Sequence, residues 1–277
     1  MAHAGPPSLP GPALLFCPAD RPDRYAKALA AADAVILDLE DAVSADNKEA
    51  ARAALAAADL DPARVIVRVS ATGTPGHAAD LAALRPTGYR SIMLAKTETR
   101  AQLDELGGEW RVVALCETPA GIVSAAEIAA APNVIALMWG AEDLIAAMRG
   151  RSSRRPGGQY RDVALHARSA VLLAASAHGK PAIDSVYVDI PDLDGLAAES
   201  EDAAASGFSL KACIHPTQAA VVRKAFQAGE AQIAWARRVL AAVRDATPQD
   251  KGVLKVDGQM IDAPLIRQAE AILASLR

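Results

Sequence analysis

The stretch that decides the fold is residues 112–143, VVALCETPAGIVSAAEIAAAPNVIALMWGAED. It contains two short apolar runs, Val112–Glu117 and Val134–Trp139, and an Ala-rich segment between them that Pro119 introduces. Continuous apolar runs of this length are typical of strands covered on both faces, and proline is typical of the first turn of a helix. The stretch therefore predicts one strand–helix–strand unit of a parallel sheet.

The same alternation repeats along the chain. Eight strands are predicted, at Ala13–Cys17, Ala34–Leu39, Arg64–Val69, Ser91–Lys96, Val112–Glu117, Val134–Trp139, Ile183–Val188 and Ser209–Ile214. Eight strand–helix units within about 225 residues predict an α/β fold, the (β/α)8 or TIM barrel. A doubly wound open sheet is the alternative, but the first strand is followed by CPADRP and not by the GxGxxG motif of that fold.

The domain organisation follows from where the alternation stops. We predict a disordered Pro/Gly-rich tail at residues 1–12, the barrel at 13–228, and a C-terminal lid or oligomerisation module at 229–277. The module would contain a helix over 229–246, a polar linker at 247–252, a hairpin around Asp257-Gly258, and a last helix opened by Pro264. About fifty residues are too few for a separate core, so the module is expected to pack on the barrel or on a neighbouring subunit.

Composition limits the classes of function. Hydrophobic residues make up 52% and charged residues 22%, which provides for a packed core and excludes a disordered chain. The 29 Lys and Arg residues against 33 Asp and Glu give a net charge of −4, so no basic surface for nucleic acid or an anionic membrane is expected. Three cysteines without zinc-type spacing, and no long apolar run, argue against a structural zinc site and a membrane span. A cytoplasmic protein with small-molecule substrates is expected.

Charged residues follow several of the predicted strands, at the end where barrel enzymes carry their active sites. They are Asp38, Glu40, Asp41, Arg68, Lys96, Glu117, Glu142, Asp143, Asp189 and His215. For any one of them the alternative is a structural ion pair at the rim, such as Asp38 with Lys96. A complete ring of acids and bases favours an active site.

Glu117 and Asp143 form the most informative pair, because they follow neighbouring strands. Two carboxylates with hard oxygen donors predict a Mg²⁺ site that keeps positions for water or substrate oxygens. Glu142 is an alternative to Asp143 as the second ligand, and Asp143 is alternatively the N-cap of a helix over Leu144–Met148.

Three further residues have a chemical interpretation. Arg68 lies between apolar residues, and its planar guanidinium suits the carboxylate of a small acid. Lys96 is either a Schiff-base lysine or a member of a polar network; a metal site favours the network, because metal and imine are alternative ways to polarise a carbonyl. His215 is either a hydrogen-bond partner or a base.

A series of motifs, in this order and spacing, resembles the citrate-lyase β-subunit-like family, which includes malyl-CoA and citramalyl-CoA lyases. The motifs are LFCP at 15–18, LDLEDAV at 37–43, VRV at 67–69, LAK at 94–96, ETPAG at 117–121, WGAEDL at 139–144, CIHP at 213–216 and GQMIDAP at 258–264. Two departures, Cys-Pro-Ala-Asp in place of Pro-Gly after the first strand and Ala95 in place of Pro, concern the shape of the CoA pocket.

The resemblance implies a Mg²⁺-dependent carbon–carbon lyase or synthase. Its substrates would be a 2-oxo acid (glyoxylate or pyruvate) and acetyl-CoA or propionyl-CoA, joined in a β-hydroxyacyl-CoA. Glu117 and Asp143 would bind the metal, Arg68 and Glu117 would contact the substrate acid, and Asp262 would be the catalytic acid/base.

The resemblance also implies roles outside the metal pair. Glu40 and Asp41 would take part in catalysis by orienting water or Arg68, and Phe16, Arg24 and Lys27 would contact CoA. The protein would be a homotrimer or hexamer in which Asp262 enters a neighbouring subunit's site.

Other functions remain open at this point. They are the β subunit of a citrate lyase complex that cleaves a citryl-acyl-carrier-protein thioester to oxaloacetate, a malate synthase-like enzyme that also hydrolyses the thioester, a phosphoenolpyruvate-type mutase, and a catalytically silent scaffold. The presence of Arg68, Glu117, Asp143 and Asp262 together argues against the scaffold.

Overall fold

The computed structural model describes residues 9–245, 254–274 and 276. Eight parallel strands close a barrel in sequential order, with the first strand paired to the eighth. The strands are β1 Ala13–Pro18, β2 Ala34–Asp38, β3 Val65–Val69, β4 Ser91–Leu94, β5 Arg111–Cys116, β6 Val134–Trp139, β7 Ala182–Asp184 and β8 Leu210–Cys213. The predicted (β/α)8 barrel is confirmed.

Helices connect the strands. They are α1 Tyr25–Ala31, α2 Lys48–Ala57, α3 Pro75–Leu84, α4 Arg100–Leu106, α5 Pro119–Val123, α6 Ala125–Ala129, α7 Ala141–Ala147, α8 Asp162–Ala177, α9 Leu193–Ser206 and α10 Pro216–Ala225. The single helix predicted between β5 and β6 is divided at Ser124, whose backbone leaves helical geometry (φ −90°, ψ 4°). Within the described ranges, no helix has the length and apolar character needed to cross a bilayer.

The interior of the barrel is filled by side chains from all eight strands. This core consists of Leu14, Ala34, Ile36, Ile66, Met93, Val113, Leu115, Ala136, Met138, Ile183, Leu210 and Ala212. Alternate residues of a strand point to opposite faces, so each strand contributes one face to this interior and the other to the surrounding helices. Because the interior is packed, a ligand site belongs at the carboxyl ends of the strands and in the loops that follow them.

Part of the predicted disordered tail at residues 1–12 is ordered in the structure. Residues 1–8 lie outside the described part of the chain. Leu9 packs against the barrel core, and the carbonyl of Pro12 accepts a hydrogen bond from the Lys211 N–H at 2.9 Å. Residues 9–12 are therefore held against the strands.

A second compact unit lies within Lys224–Arg277, the barrel unit lying within Met1–Arg223. It contains α11 Glu230–Asp245, the antiparallel hairpin of β9 Leu254–Val256 and β10 Gln259–Ile261, and α12 Ala263–Ala274. The predicted linker at 247–252 lies outside the described residues. Ala236, Val239, Val256, Ile261 and Ala269 form an apolar cluster of its own. This differs from the expectation of no separate core, because small residues allow two helices and a hairpin to pack closely.

A buried network of charges joins β7 to β8. Asp184 and Lys211 are both fully buried, and their Oδ2 and Nζ atoms are 2.9 Å apart. Arg168 Nε also donates to Asp184 Oδ1, at 2.9 Å, and Lys211 Nζ donates to the Ser185 carbonyl at 2.8 Å. Burial alone would raise the pKa of Asp184, but Lys211 and Arg168 lower it, so the network is ionic.

Replacing Lys211 by Met is expected to lower the free energy of unfolding by about 3–5 kcal/mol, because it leaves the Asp184 carboxylate buried with part of its compensation removed. Urea denaturation measures the loss. The matched control is Arg100→Ala, which removes an exposed ion pair with Asp104 and should cost less than about 1 kcal/mol. Equal effects of the two substitutions would show that Lys211 contributes no more to stability than an exposed ion pair does.

Candidate active site

A cavity of about 210 Å³ opens at the carboxyl ends of the strands. Among the predicted site residues, it is lined by Phe16, Arg68, Glu117 and Asp143, together with Asp38 and Glu142. These residues lie within, end or follow strands β1, β2, β3, β5 and β6. Barrel closure therefore brings together side chains that are more than 120 positions apart in the sequence.

Glu117 lies at the centre of this cavity wall, directly after β5. It is only 2% exposed, and its Oε1 accepts a hydrogen bond from the Lys96 backbone N–H at 3.1 Å. Lys96 has a left-handed backbone (φ 51°), a conformation that L residues adopt at some cost and that is frequent at functional sites. Burial, and next the negative charge of Asp143, raise the pKa of Glu117 to about 8. A cation beside Glu117 would relieve both effects.

Asp143 lies in the first turn of α7, which begins directly after Gly140 at the end of β6. The Gly140 N–H donates to the Cys116 carbonyl at 3.3 Å, so the backbone of residue 140 passes beside Glu117. A Cβ at position 140 would lie 2.7 Å from Glu117 Cβ and 2.9 Å from Oε2, and only glycine permits this approach. The N-cap of α7 is Gly140, so the alternative of Asp143 as a helix cap is wrong.

Glu142, the alternative ligand, lines the same cavity as Asp143 but already has a hydrogen-bond partner. Its Oε1 accepts a hydrogen bond from Ser153 Oγ at 2.6 Å, and the residue is exposed. Asp143 is half-buried, and its charge acts on Glu117. The geometry thus favours Glu117 and Asp143 as the pair that faces a common ligand.

The donor set of this pair fits a hard divalent cation. In the described part of the chain there is no group of three or more His, Cys, Asp or Glu side chains arranged to hold a metal. Two carboxylates are what Mg²⁺ commonly takes from a protein, with water or substrate oxygens completing its octahedron. The chemistry of the residues present is therefore compatible with Mg²⁺.

Arg68 has a partner that the sequence interpretation did not assign. Its Nε and Nη2 donate to the two carboxylate oxygens of Asp38 at 2.7 and 2.5 Å, and its Nη1 lies 3.3 Å from Glu40 Oε2. Its guanidinium carbon lies 5.1 Å from the ring centre of Phe16. Asp38 thus occupies the edge of the guanidinium formed by Nε and Nη2. A substrate carboxylate would therefore have to approach from the Nη1 side.

Lys96 belongs to a network of acids. Its Nζ donates to Glu40 Oε1 at 2.5 Å and to Asp41 Oδ2 at 3.3 Å, and the suggested pairing of Asp38 with Lys96 is wrong. Burial alone would lower the pKa of Lys96, but the hydrogen bond and charge of Glu40 raise it above its ordinary value. A lysine held in its charged form is a poor nucleophile, so the structure favours the network interpretation over the Schiff base.

Several predicted residues are not among those that line the cavity. Arg24 and Lys27 are exposed on and beside α1, and Asp189 is exposed because β7 already ends at Asp184. His215 is half-buried, with its Nδ1 2.8 Å from Thr217 Oγ1. Asp262 belongs to the C-terminal unit, where its Oδ1 accepts from the Leu265 N–H at 3.4 Å at the start of α12.

Ser185 is a cavity residue that the sequence interpretation missed. It is buried, and its Oγ accepts a hydrogen bond at 3.3 Å from the N–H of Ala141, the first residue of the helix that carries Asp143. Lys211, which donates a hydrogen bond to the Ser185 carbonyl, is a charged residue within an otherwise apolar strand, as Arg68 is. The sequence therefore contained a signal for Lys211, the partner of Ser185.

Comparisons with known proteins show the family to which the chain belongs. The profile of the HpcH/HpaI aldolase/citrate lyase family matches residues 13–216. The citrate lyase subunit beta-like protein of Mycobacterium tuberculosis is 55% identical over 263 residues, which cover 95% of this chain and 94% of that protein. The (3S)-malyl-CoA thioesterase of Cereibacter sphaeroides is 34% identical over 285 residues, covering 99% and 96% of the two chains.

A solved structure is similar over nearly its whole length. Protein CitE from Mycobacterium tuberculosis, in complex with magnesium, acetoacetate and coenzyme A, has a TM-score of 0.91 and 54% sequence identity, covering 96% of this chain and 97% of that one. The family resemblance inferred from the motifs is confirmed. With a closed barrel, matching motifs and relatives that align from end to end, the chain belongs to the HpcH/HpaI aldolase/citrate lyase family.

Proposed function

We propose that this chain is a Mg²⁺-dependent carbon–carbon lyase or synthase that interconverts a β-hydroxyacyl-CoA of the malyl-CoA or citramalyl-CoA type with a 2-oxo acid and acetyl-CoA or propionyl-CoA. The observation that carries the proposal is the convergence of Glu117, Asp143 and Arg68 on one cavity. The complex of the similar CitE protein with magnesium, acetoacetate and coenzyme A supports it.

The residues of the cavity have complementary tasks in this reaction. Glu117 and Asp143 would hold Mg²⁺, which when bound polarises the carbonyl of the 2-oxo acid as a Lewis acid. The Nη1 side of Arg68, which lies 3.3 Å from Glu40 Oε2, would orient the acid's carboxylate and offset its charge. The two hydrogen bonds that Arg68 donates to the Asp38 carboxylate hold its guanidinium in place for this contact.

The reaction also needs a carboxylate that removes the proton α to the thioester in the direction of synthesis. Asp38 is paired with Arg68, while Glu117 and Asp143 are assigned to the metal. Asp262 has no ion pair within the described residues. We assign it the acid/base role, exerted in the site of a neighbouring copy in a homotrimer or hexamer.

CoA contacts are assigned to Phe16, Arg24 and Lys27. Phe16 lines the cavity, where the thioester end would lie. Arg24 and Lys27 present exposed positive charge on the neighbouring helix, which suits phosphate groups of the carrier.

An assay of thiol release and of cleavage tests the function. Acetyl-CoA and propionyl-CoA are each offered with glyoxylate or pyruvate, with and without Mg²⁺, beside cleavage of malyl-CoA and citramalyl-CoA. Mg²⁺-dependent turnover of a free CoA thioester by the purified chain is expected. Turnover only with an acyl-carrier-protein thioester would instead indicate a citrate lyase β subunit. Release of thiol without cleavage would indicate a thioesterase, in line with the (3S)-malyl-CoA thioesterase relative.

Replacing Gly140 by Ala is expected to weaken Mg²⁺ binding by about tenfold or more, because the new Cβ displaces Glu117 from its position. Isothermal titration calorimetry measures the affinity. Gly108→Ala is the control, since nothing lies within 4 Å of a Cβ at that position. Unchanged Mg²⁺ affinity in Gly140→Ala would contradict the assignment of Glu117 as a metal ligand.

Mg²⁺ affinity is expected to increase with pH up to about 8 and then to level off. In the metal-free protein the pKa of Glu117 is raised to about 8, so below that value the metal must displace a proton from the carboxyl. Titrations at a series of pH values measure the slope. A Mg²⁺ affinity that is the same well below pH 8 as it is above pH 8 would contradict the assignment of Glu117 as a metal ligand.

A further inference from the structure

An open groove of about 590 Å³ lies between the loops that follow β2 and β3. It shares no lining residue with the cavity of Glu117 and Asp143. Its charged residues are Lys48, Arg52 and Lys96 on the positive side and Glu40 and Asp41 on the negative side. A volume of this size is in the range of sites that bind small molecules.

The negative charges of Glu40 and Asp41, the two acids of the groove, are already offset by a lysine. The Lys96 ammonium contacts both Glu40 and Asp41. Lys48 and Arg52 lie on α2 and make no contact with these carboxylates that counts as an ion pair. Two of the three cations that line the groove therefore lie on its α2 side, and of these Arg52 is paired with Asp80.

Lys48 carries a charge without a carboxylate partner. Its Nζ donates to the backbone carbonyls of Leu39 and Glu40, each at 2.5 Å, and no acid lies within ion-pair distance of it among the residues that the structure describes. Neutral carbonyls hold the ammonium in place but do not neutralise it. The third proton of the ammonium remains for another acceptor.

Arg52 is held by a buried carboxylate through its Nε atom. Its Nη1 and Nη2 atoms, the outer nitrogens of the guanidinium, are left for a ligand. Its Nε donates to Asp80 Oδ1 at 2.7 Å, and Asp80 is fully buried, also accepting from Ser70 Oγ at 2.7 Å. Its Nη2 would lie 3.7 Å from a Cβ at Gly76, in the first turn of α3, so that turn adjoins the guanidinium. Lys48 and Arg52 are four residues apart on α2 and line the same groove, and a fixed planar donor together with an ammonium is a favourable combination for a phosphate group.

We propose that this groove binds a phosphate group, through Lys48 and the outer nitrogens of Arg52. The phosphate comes either from the carrier of the thioester substrate or from a separate phosphate-bearing ligand. The first source rests on the proposed function; the second does not. In both cases the groove is a binding site apart from the metal-holding cavity.

The direct test uses calorimetric titration of the full-length, metal-free protein with inorganic pyrophosphate. Saturable binding is expected, and Lys48→Gln should weaken it about tenfold by removing a charged donor. Arg85→Gln is the matched control, because it removes an exposed positive charge at the far end of α3 and should leave the affinity unchanged. Absence of saturable binding, or equal affinity in Lys48→Gln and wild type, overturns the proposal.

The source of the phosphate is decided by kinetics with Lys48→Gln. If the carrier supplies it, KM for acetyl-CoA rises about tenfold, whereas KM for acetyl-pantetheine, which has no phosphate, is unchanged. If KM is unchanged for both while pyrophosphate binding is weakened, a separate phosphate-bearing ligand occupies the groove. Failure to turn over any CoA thioester would contradict the proposed function and leave the pyrophosphate result standing.

A second measurement avoids substitution, should the Lys48 variant not fold. Pyrophosphate should slow acetylation of Lys48 by an N-hydroxysuccinimide ester, as followed by mass spectrometry of the unaltered protein. The exposed Lys255 of the C-terminal unit serves as the internal reference. Equal acetylation of Lys48 with and without pyrophosphate overturns the proposal.

Discussion

Replacing Glu117 by Gln is expected to abolish measurable Mg²⁺ binding and to reduce turnover by about three orders of magnitude or more. Loss of the metal removes a contribution of several kcal/mol to transition-state stabilisation, and each 1.36 kcal/mol corresponds to a factor of ten. Glutamine has the same shape, and burial already favours the neutral form of Glu117 in the metal-free protein, so the fold should be retained. Calorimetric titration and steady-state assays measure the two effects.

The alternative ligand provides the control for this result. Glu142→Gln removes a neighbouring carboxylate whose Oε1 is bound by Ser153, and Mg²⁺ affinity should stay within about threefold of wild type. If Glu142→Gln loses Mg²⁺ binding while Asp143→Asn retains it, Glu142 and not Asp143 is the second metal ligand. Mg²⁺ binding retained in Glu117→Gln would refute the proposed metal site.

Replacing Asp262 by Asn is expected to lower kcat by about two to four orders of magnitude while Mg²⁺ affinity stays unchanged. Loss of a positioned general base has an effect of this size. Asparagine is as good an N-cap as aspartate, so the hydrogen bond to the Leu265 N–H and the start of α12 should be preserved. The control is Asp257→Asn, a change at an exposed residue of the same hairpin region. Wild-type turnover in Asp262→Asn would remove this residue from the mechanism.

Mixing two inactive variants tests whether Asp262 acts in a neighbouring copy. Glu117→Gln and Asp262→Asn are refolded or exchanged together, so that mixed oligomers form. If the site combines residues of two copies, some sites contain neither substitution and activity returns. Continued inactivity of demonstrably mixed oligomers would place Asp262 in the same copy as Glu117.

The barrel was predictable because its signals are local. Buried parallel strands are short apolar runs, and the strand boundaries agree with the prediction within two residues for most of the eight. The larger difference concerns β7. The prediction extended this strand to residue 188 because residues 185–188 are mostly apolar, whereas the chain leaves the sheet after Asp184 and continues as a loop. Polar residues at strand ends are equally local, which is why Glu117 and Asp143 were identified with the correct pairing of strands.

Amino-acid order alone thus determined the closed sheet, the end of the barrel at which the cavity opens and the two carboxylates that share this cavity. Only the tertiary structure decided which charges meet: Asp38 and Arg68 are opposite each other in the register of β2 and β3, and this pairing occupies one edge of the guanidinium. Likewise, Lys211 meets Asp184 because β7 and β8 are neighbours in the barrel. Strand formation depends on nearby residues, whereas ion pairing depends on the distance between side chains from separate strands, and barrel closure sets that distance.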